Sequence, residues 1–144
     1  MLKALSMVGY GGMAAGLVAQ ISTGNLFSPS APVIAVQVGA VLLGLWARLT
    51  FGRRSFHLAA NPTAGGLVTS GPYRYIRHPI YTAVSLLSGA GVVAHLSWTG
   101  GLLSALVVGS GLLRLFCEEV MVTERYPEYR QYAATTWRMI PYVF

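Results

Sequence analysis

The sequence predicts an all-α, polytopic integral membrane bundle of about four transmembrane helices with a short C-terminal helical hairpin and an interfacial tail. Three observations carry that expectation. Of 144 residues, 54% are hydrophobic and only 10% charged, whereas soluble domains carry about 25% charge. The charges leave two gaps, residues 4–47 and 78–113, each long enough for two spans of roughly 20 residues. Both gaps are interrupted by turn formers: Thr23-Gly24-Asn25 and Ser28-Pro29-Ser30 in the first, and the run from His95 through Gly100-Gly101 in the second. A soluble globule is excluded, as are disorder, which needs low hydrophobicity, and a nucleic-acid binder, whose Lys and Arg would sit on a polar chain.

In chain order, the first helix is expected over 3–22. Gly12 and Gly16 form a GxxxG pair there with Gly9 one turn earlier, a small face suited to close packing on a neighbour or, in a homodimer, on a second copy. A cleavable leader ending near Ala14-Ala15-Gly16 is the less favoured reading, because the apolar run continues to Ile21. The second helix is expected over 32–51, completing an N-terminal pair in 1–51, and 52–78 forms a connector carrying Arg53 and Arg54. The third and fourth helices, 79–95 and 100–117, form the hairpin. Ser85, Ser88, Gly89 and Gly91 on one member and Ser104, Gly109 and Gly111 on the other are candidates for close approach. The tail is 118–144, and the whole chain reads as one membrane domain.

The formal net charge of +6 is mainly an orientation signal. Both breaking turns lack Lys and Arg, so the positive-inside rule places both termini and the connector in the cytoplasm, in a cell inner membrane or an endomembrane. Arg53 and Arg54 fit that rule, with contact to anionic lipid as the alternative. No acid or Lys lies within the expected spans, which removes the usual mark of a transport pathway. A single cysteine, Cys117, offers no disulfide framework. His57, His78 and His95 are scattered, so no metal is expected.

Some polar residues exceed what topology needs. The connector ends Gly71-Pro72-Tyr73-Arg74-Tyr75-Ile76-Arg77-His78-Pro79-Ile80-Tyr81. Pro79 suits the first turn of a helix, and the open amides of that turn, with Arg77 and His78, suit an anion such as a carboxylate or phosphate. Glu118 and Glu119 are expected at the C-terminus of the fourth helix, where acid opposes the helix dipole. Arg114 precedes Glu118 by four residues, the weaker orientation for a helical ion pair, so a further cation is expected nearby: Arg77, Arg138 or a ligand. In the tail, Tyr126, Tyr129 and Tyr132 recur every three residues, and on a helix they would share a face suited to the headgroups or to covering a ligand.

The ordered set Gly-x-Tyr-x-x-x-Arg-His-Pro-x-Tyr (71–81), Glu118-Glu119, Tyr129-x-x-Tyr132 and Arg138-x-x-Pro141 resembles the isoprenylcysteine carboxyl methyltransferase family and its relatives, the phospholipid N-methyltransferases. The resemblance covers about residues 71–141, the first two helices matching only in general character. It implies a cytosol-facing S-adenosylmethionine site, with Tyr73, Arg77, His78, Pro79, Tyr81, Glu118, Glu119 and Tyr129 as cofactor contacts. Arg138 would orient an anionic acceptor, and Glu119 or Glu118 would anchor the cofactor or accept a proton from an amine. The implied acceptor is small or lipophilic, such as a prenylcysteine-like carboxylate, a lipid amine or a thiol, and membrane lipids are its surroundings.

Two positions depart from that pattern. Ala83 stands where many members have Gly, and Tyr126-Pro127 replaces Phe-Gly; neither removes a polar group. The C-terminal layout is also similar to that of NADPH-dependent lipid and sterol reductases, but those commonly carry Asn after His-Pro and an acid after the Tyr, where this chain has Ile80 and Thr82-Ala83-Val84. A non-enzymatic transport or assembly protein is the remaining alternative.

Overall fold

Apolar runs bounded by capping and turn residues become five α-helices in the computed structural model, which describes residues 1–52 and 66–144. Arg53, Arg54 and His57 therefore lie outside the described residues. Helix α1 spans Leu2–Ser22 and α2 spans Ala31–Phe51, the latter with proline in its first turn. A 3-10 turn at Gly71–Arg74 precedes α3, Pro79–His95, whose first residue is Pro79 as expected. Helix α4 spans Trp98–Arg125, and Ser97 caps it by accepting from the Gly100 amide at 2.9 Å. Helix α5 is short, Tyr129–Thr135.

The helices stand in the spatial order α1, α4, α3, α2. The α3–α4 hairpin forms the middle, α1 packs along the outside of α4, and α2 packs along α3. Helices α1, α2 and α4 are long and apolar enough to cross a membrane, and α3 is a shorter apolar helix of 17 residues, about 25 Å at 1.5 Å per residue. Outward positions such as Val8 and Val18 on α1, Val38, Leu45 and Leu49 on α2 and Leu102 on α4 are apolar and exposed. A chain with that surface is an integral membrane protein, because lipid, unlike water, imposes no cost on it.

The glycine face of α1 is used within the chain. A Cβ at Gly9 would lie 2.7 Å from the Ser110 carbonyl oxygen, and one at Gly16 would lie 2.6 Å from Val107 Cγ2. Gly12 likewise abuts the Ser110 hydroxyl. Small residues let the two backbones approach, which is what holds helices together where water supplies no hydrophobic drive. In the hairpin, only part of the expected small-residue seam forms. The Ser88 and Ser104 hydroxyls meet at 2.9 Å, whereas Gly91 packs on the carbonyls of Asn25 and Leu26, and among the described residues nothing lies within 4 Å of where a Cβ would stand at Gly89 or Gly109.

Helix α4 is longer than expected. It runs to Arg125 instead of ending near 117, so Glu118 and Glu119 sit inside the helix with almost two turns beyond them. The expected clash with the helix dipole does not arise, since that effect is confined to the last turn. A single turn of polar sequence reads as a terminus only if no tertiary partners take up the charges, and here they do.

Candidate active site

The site is assembled by a backbone pairing between two segments distant in sequence. Residues 75–78, between the 3-10 turn and α3, lie alongside 137–138 of the tail, with an isolated parallel bridge between Ile76 and Trp137. The Arg77 amide donates to Trp137 O at 2.7 Å, the His78 amide to Arg138 O at 2.9 Å, and the Trp137 amide to Tyr75 O at 3.1 Å. Thr82 Oγ1 on α3 adds a bond to Met139 O at 2.9 Å. These bonds bring Arg77, His78 and Arg138 to the face of α4 that carries both glutamates.

Glu119 is the hub. Its Oε1 accepts from Arg77 Nε at 2.9 Å and from the Tyr129 hydroxyl at 3.2 Å, with His78 Nε2 at 3.4 Å, while Oε2 accepts from Arg138 Nε at 3.0 Å. Four groups from three segments thus converge on one carboxylate. Arg77 also donates through Nη1 to Ala133 O at 3.0 Å and to Thr136 O. It therefore ties α4 and the tail together, and its side chain is only 7% exposed.

Glu118, the adjacent residue, faces a different set. Its Oε1 accepts from the Tyr81 hydroxyl at 2.6 Å and from Arg114 Nε at 3.1 Å, and Arg114 Nε also donates to the Tyr81 oxygen at 2.8 Å. Among the described residues, the other oxygen, Oε2, has only His78 Nδ1 nearby, at 3.9 Å, too far for a hydrogen bond. The imidazole thus lies between the two carboxylates and stacks on Tyr81, ring centroids 5.6 Å apart.

The tyrosines outside the spans are held as phenols. Burial pushes the Tyr73 and Tyr129 hydroxyls well above their ordinary range, with nearby Tyr132 and Glu118 adding to the first effect and Glu119 to the second. Tyr132 is pushed up to about 12 by burial, against an opposing pull from Arg77. Each therefore keeps its proton near neutral pH, and Tyr129 donates to Glu119 Oε1 and Tyr132 to Tyr73 O at 2.6 Å.

Arg138 is the more open cation of the group. Its side chain is 39% exposed, its Nε is taken by Glu119, and its guanidinium carbon lies 5.8 Å from the centre of the Phe116 ring and 5.2 Å from that of Phe144. Among the described residues the cluster thus leaves two valences of opposite sign without a hydrogen bond, Glu118 Oε2 and the terminal nitrogens of Arg138, on side chains 22% and 39% exposed. The start of α3 adds a third feature, because no side chain caps it.

The residues named from the sequence as cofactor contacts or acceptor-orienting groups come to this end of the bundle: Tyr73, Arg77, His78, Pro79, Tyr81, Glu118, Glu119, Tyr129 and Arg138. Tyr126 does not join the expected tyrosine face, because it ends α4 in extended conformation and only Tyr129 and Tyr132 lie on α5, their rings 5.8 Å apart. Arg114 is the addition. Read as one member of a weak helical pair, it is 6% exposed and bonded across the bundle. A basic residue inside an otherwise apolar run is the signal that could have marked it. A cleft of about 490 Å³ between the end of α2 and residues 67–70 is lined by Thr50, Phe51 and neighbours and by none of these ionisable groups. Phe51 packs on Tyr73 at 5.5 Å. Among the described residues no group of His, Cys, Asp and Glu is arranged to hold a metal ion.

The phospholipid methyltransferase family model matches residues 29–129. The match takes in α2 as well as the hairpin, so the family pattern begins earlier than the motifs at 71–81 indicated, and it stops at the first residue of α5. No curated protein and no solved structure matches the chain.

Proposed function

We propose that this chain, which belongs to the phospholipid methyltransferase family, is an S-adenosylmethionine-dependent enzyme that methylates a small or lipophilic acceptor at the cytoplasmic face of the membrane. The observation that carries this reading is the pair of opposite open valences, Glu118 Oε2 and the Arg138 terminal nitrogens, on one tightly bonded cluster. The chemistry of that donor set fits the cofactor, which has a carboxylate and two cationic centres. Glu118 suits a cation. His78 and the uncapped start of α3 suit a carboxylate, and the tyrosine rings suit a cationic or aromatic neighbour.

When bound, the cofactor supplies an electrophilic methyl group on a positively charged sulfur. The remaining work belongs to the protein. Arg138 orients an anionic acceptor beside Phe116, whose exposed ring on α4 faces the direction from which a lipid-soluble acceptor would arrive. Glu119 places Arg138 and Arg77 and keeps the tail closed, which excludes water and fixes geometry, the two effects a displacement of this kind most needs. Its saturation by four groups leaves Glu118, with His78 Nδ1 beside it, as the better proton acceptor when the acceptor is an amine. Both termini lie in the cytoplasm in this reading.

The test is calorimetric binding of S-adenosylhomocysteine and, separately, NADPH to the detergent-purified protein. The expected result is micromolar binding of S-adenosylhomocysteine alone, weakened more than about tenfold but still measurable in folded Glu118→Gln. Binding of NADPH alone would overturn the reading.

A further inference from the structure

Helix α1 lies outside the family match, yet its N-terminal half reaches the site through one side chain. Arg114 Nη1 donates to Ser6 O at 3.3 Å, and the guanidinium lies 5.1 Å from the centre of the Tyr10 ring. Gly9, between those two residues, sits against α4 so closely that a Cβ would come within 3.1 Å of Arg114 Cβ and 2.7 Å of Ser110 O. The other edge of the same guanidinium bonds Tyr81 and Glu118.

The guanidinium is planar and its donors keep a fixed angle to one another. Holding Nη1 against α1 therefore sets where Nε points, and Nε in turn fixes the Tyr81 hydroxyl and Glu118 Oε1. A buried cation also cannot relax into water, so a shift in its α1 partners is passed on to its other partners, Tyr81 and Glu118 among them. The Ser6 hydroxyl takes no part: it is fully buried with no hydrogen-bond partner among the described residues, and the contact is made by the backbone.

We infer that Arg114 is a positioning residue through which α1 sets the placement of Glu118, and with it the affinity for the cationic ligand that Glu118 Oε2 faces. The inference rests on the reading of Glu118 given under Proposed function. If Arg114 merely neutralised Glu118, any cation would serve and the seat of α1 would not matter.

Two substitutions in one seam separate these cases. Gly9→Ala and Gly16→Ala each insert a methyl group between α1 and α4, but the second meets Val107 and Leu103, two turns from Arg114. Both are expected to lower the melting temperature in detergent. Gly9→Ala, and independently Arg114→Lys, should weaken S-adenosylhomocysteine binding about tenfold, whereas Gly16→Ala changes it by less than about twofold. In a Glu118→Gln background the Gly9→Ala effect should shrink to under about twofold, because both act through the same carboxylate. Tyr10→Leu, which adds no clash, serves in the same role if Gly9→Ala does not fold. Equal affinity losses from the two alanines, or an undiminished loss in the Glu118→Gln background, would overturn the inference. Wild-type protein that fails to bind the ligand at all would instead overturn the cofactor reading, and the inference with it.

Discussion

Toward the loop end of the bundle, Gln20, Ser88 and Ser104 form a neutral knot. Gln20 Oε1 lies 2.7 Å and Ser104 Oγ 2.9 Å from the Ser88 hydroxyl, and Gln20 and Ser88 are fully buried. At the tail end, two glutamates, three arginines and a histidine form an ionic cluster that is only partly closed. Both networks tie helices together. The neutral one joins α1, α3 and α4 with uncharged groups, which cost little to keep out of water once bonded. The ionic one carries a desolvation cost that bonding only partly offsets, and it leaves outward valences. Cohesion alone would be achieved more cheaply by the first kind, so the second is the better guide to where chemistry occurs.

Replacing the hub tests this contrast most severely. Glu119→Ala leaves buried Arg77 without its carboxylate and frees the tail, so it should destabilise the protein by about 3–5 kcal/mol and abolish ligand binding, as read by melting and calorimetry. Glu118→Gln keeps an acceptor for Tyr81 and Arg114 but removes the open charge. It is expected to cost less stability than Glu119→Ala while weakening S-adenosylhomocysteine binding more than about tenfold, since a charged hydrogen bond contributes roughly 1.5–3 kcal/mol. If the two glutamates behave alike, the division between closed hub and open acid is wrong.

The neutral knot should give the opposite signature. Ser88→Ala is expected to cost about 1 kcal/mol, within the range for hydrogen bonds between membrane helices, with ligand affinity unchanged. A loss of affinity there would show the two ends to be coupled.

Alkaline pH sharpens the comparison further. Tyr132 ionises near 10.0 when unfolded and at about 12 in the folded chain, and Tyr129 is raised as well. Between those values the unfolded state binds fewer protons, so this stabilisation is whole below pH 10 and lost as pH rises toward 12. Melting temperature measured from pH 8 upward should therefore fall above pH 10, and less steeply in Tyr132→Phe. The smallest effect belongs to Ser6→Ala. Removing an unsatisfied buried hydroxyl should leave stability unchanged or raise it slightly, and melting curves would show it.

Much of this was legible in the sequence. The boundary of α3 follows from Pro79 and the turn at 95–97, and the cluster residues stand in an ordered pattern whose parts all reach one end. Two misreadings share a cause. Glu118 and Glu119 looked like a helix end because acid beside an apolar run normally meets water, and Tyr126 looked like a member of a tyrosine face because period alone cannot show where a helix stops. In both cases distant partners decided: Arg77 and Arg138 let α4 continue through its charges, and Tyr126 adopts an extended backbone where the chain turns toward α5.

The sequence by itself determined the four apolar helices, the proline start of α3, the membrane character of the chain and the family pattern. These depend on composition, period and short spacings, all properties of neighbours along the chain. Only the tertiary structure decided that α1 packs on α4, that its glycine face is thereby filled, and that of two adjacent glutamates one is closed and the other open. The physical reason is saturation. A carboxylate's spare capacity depends on which donors reach it, and those on Glu119 come from residues 77, 78, 129 and 138, brought together by the backbone pairing of 75–78 with 137–138 and by the seat of α5, which no local spacing encodes.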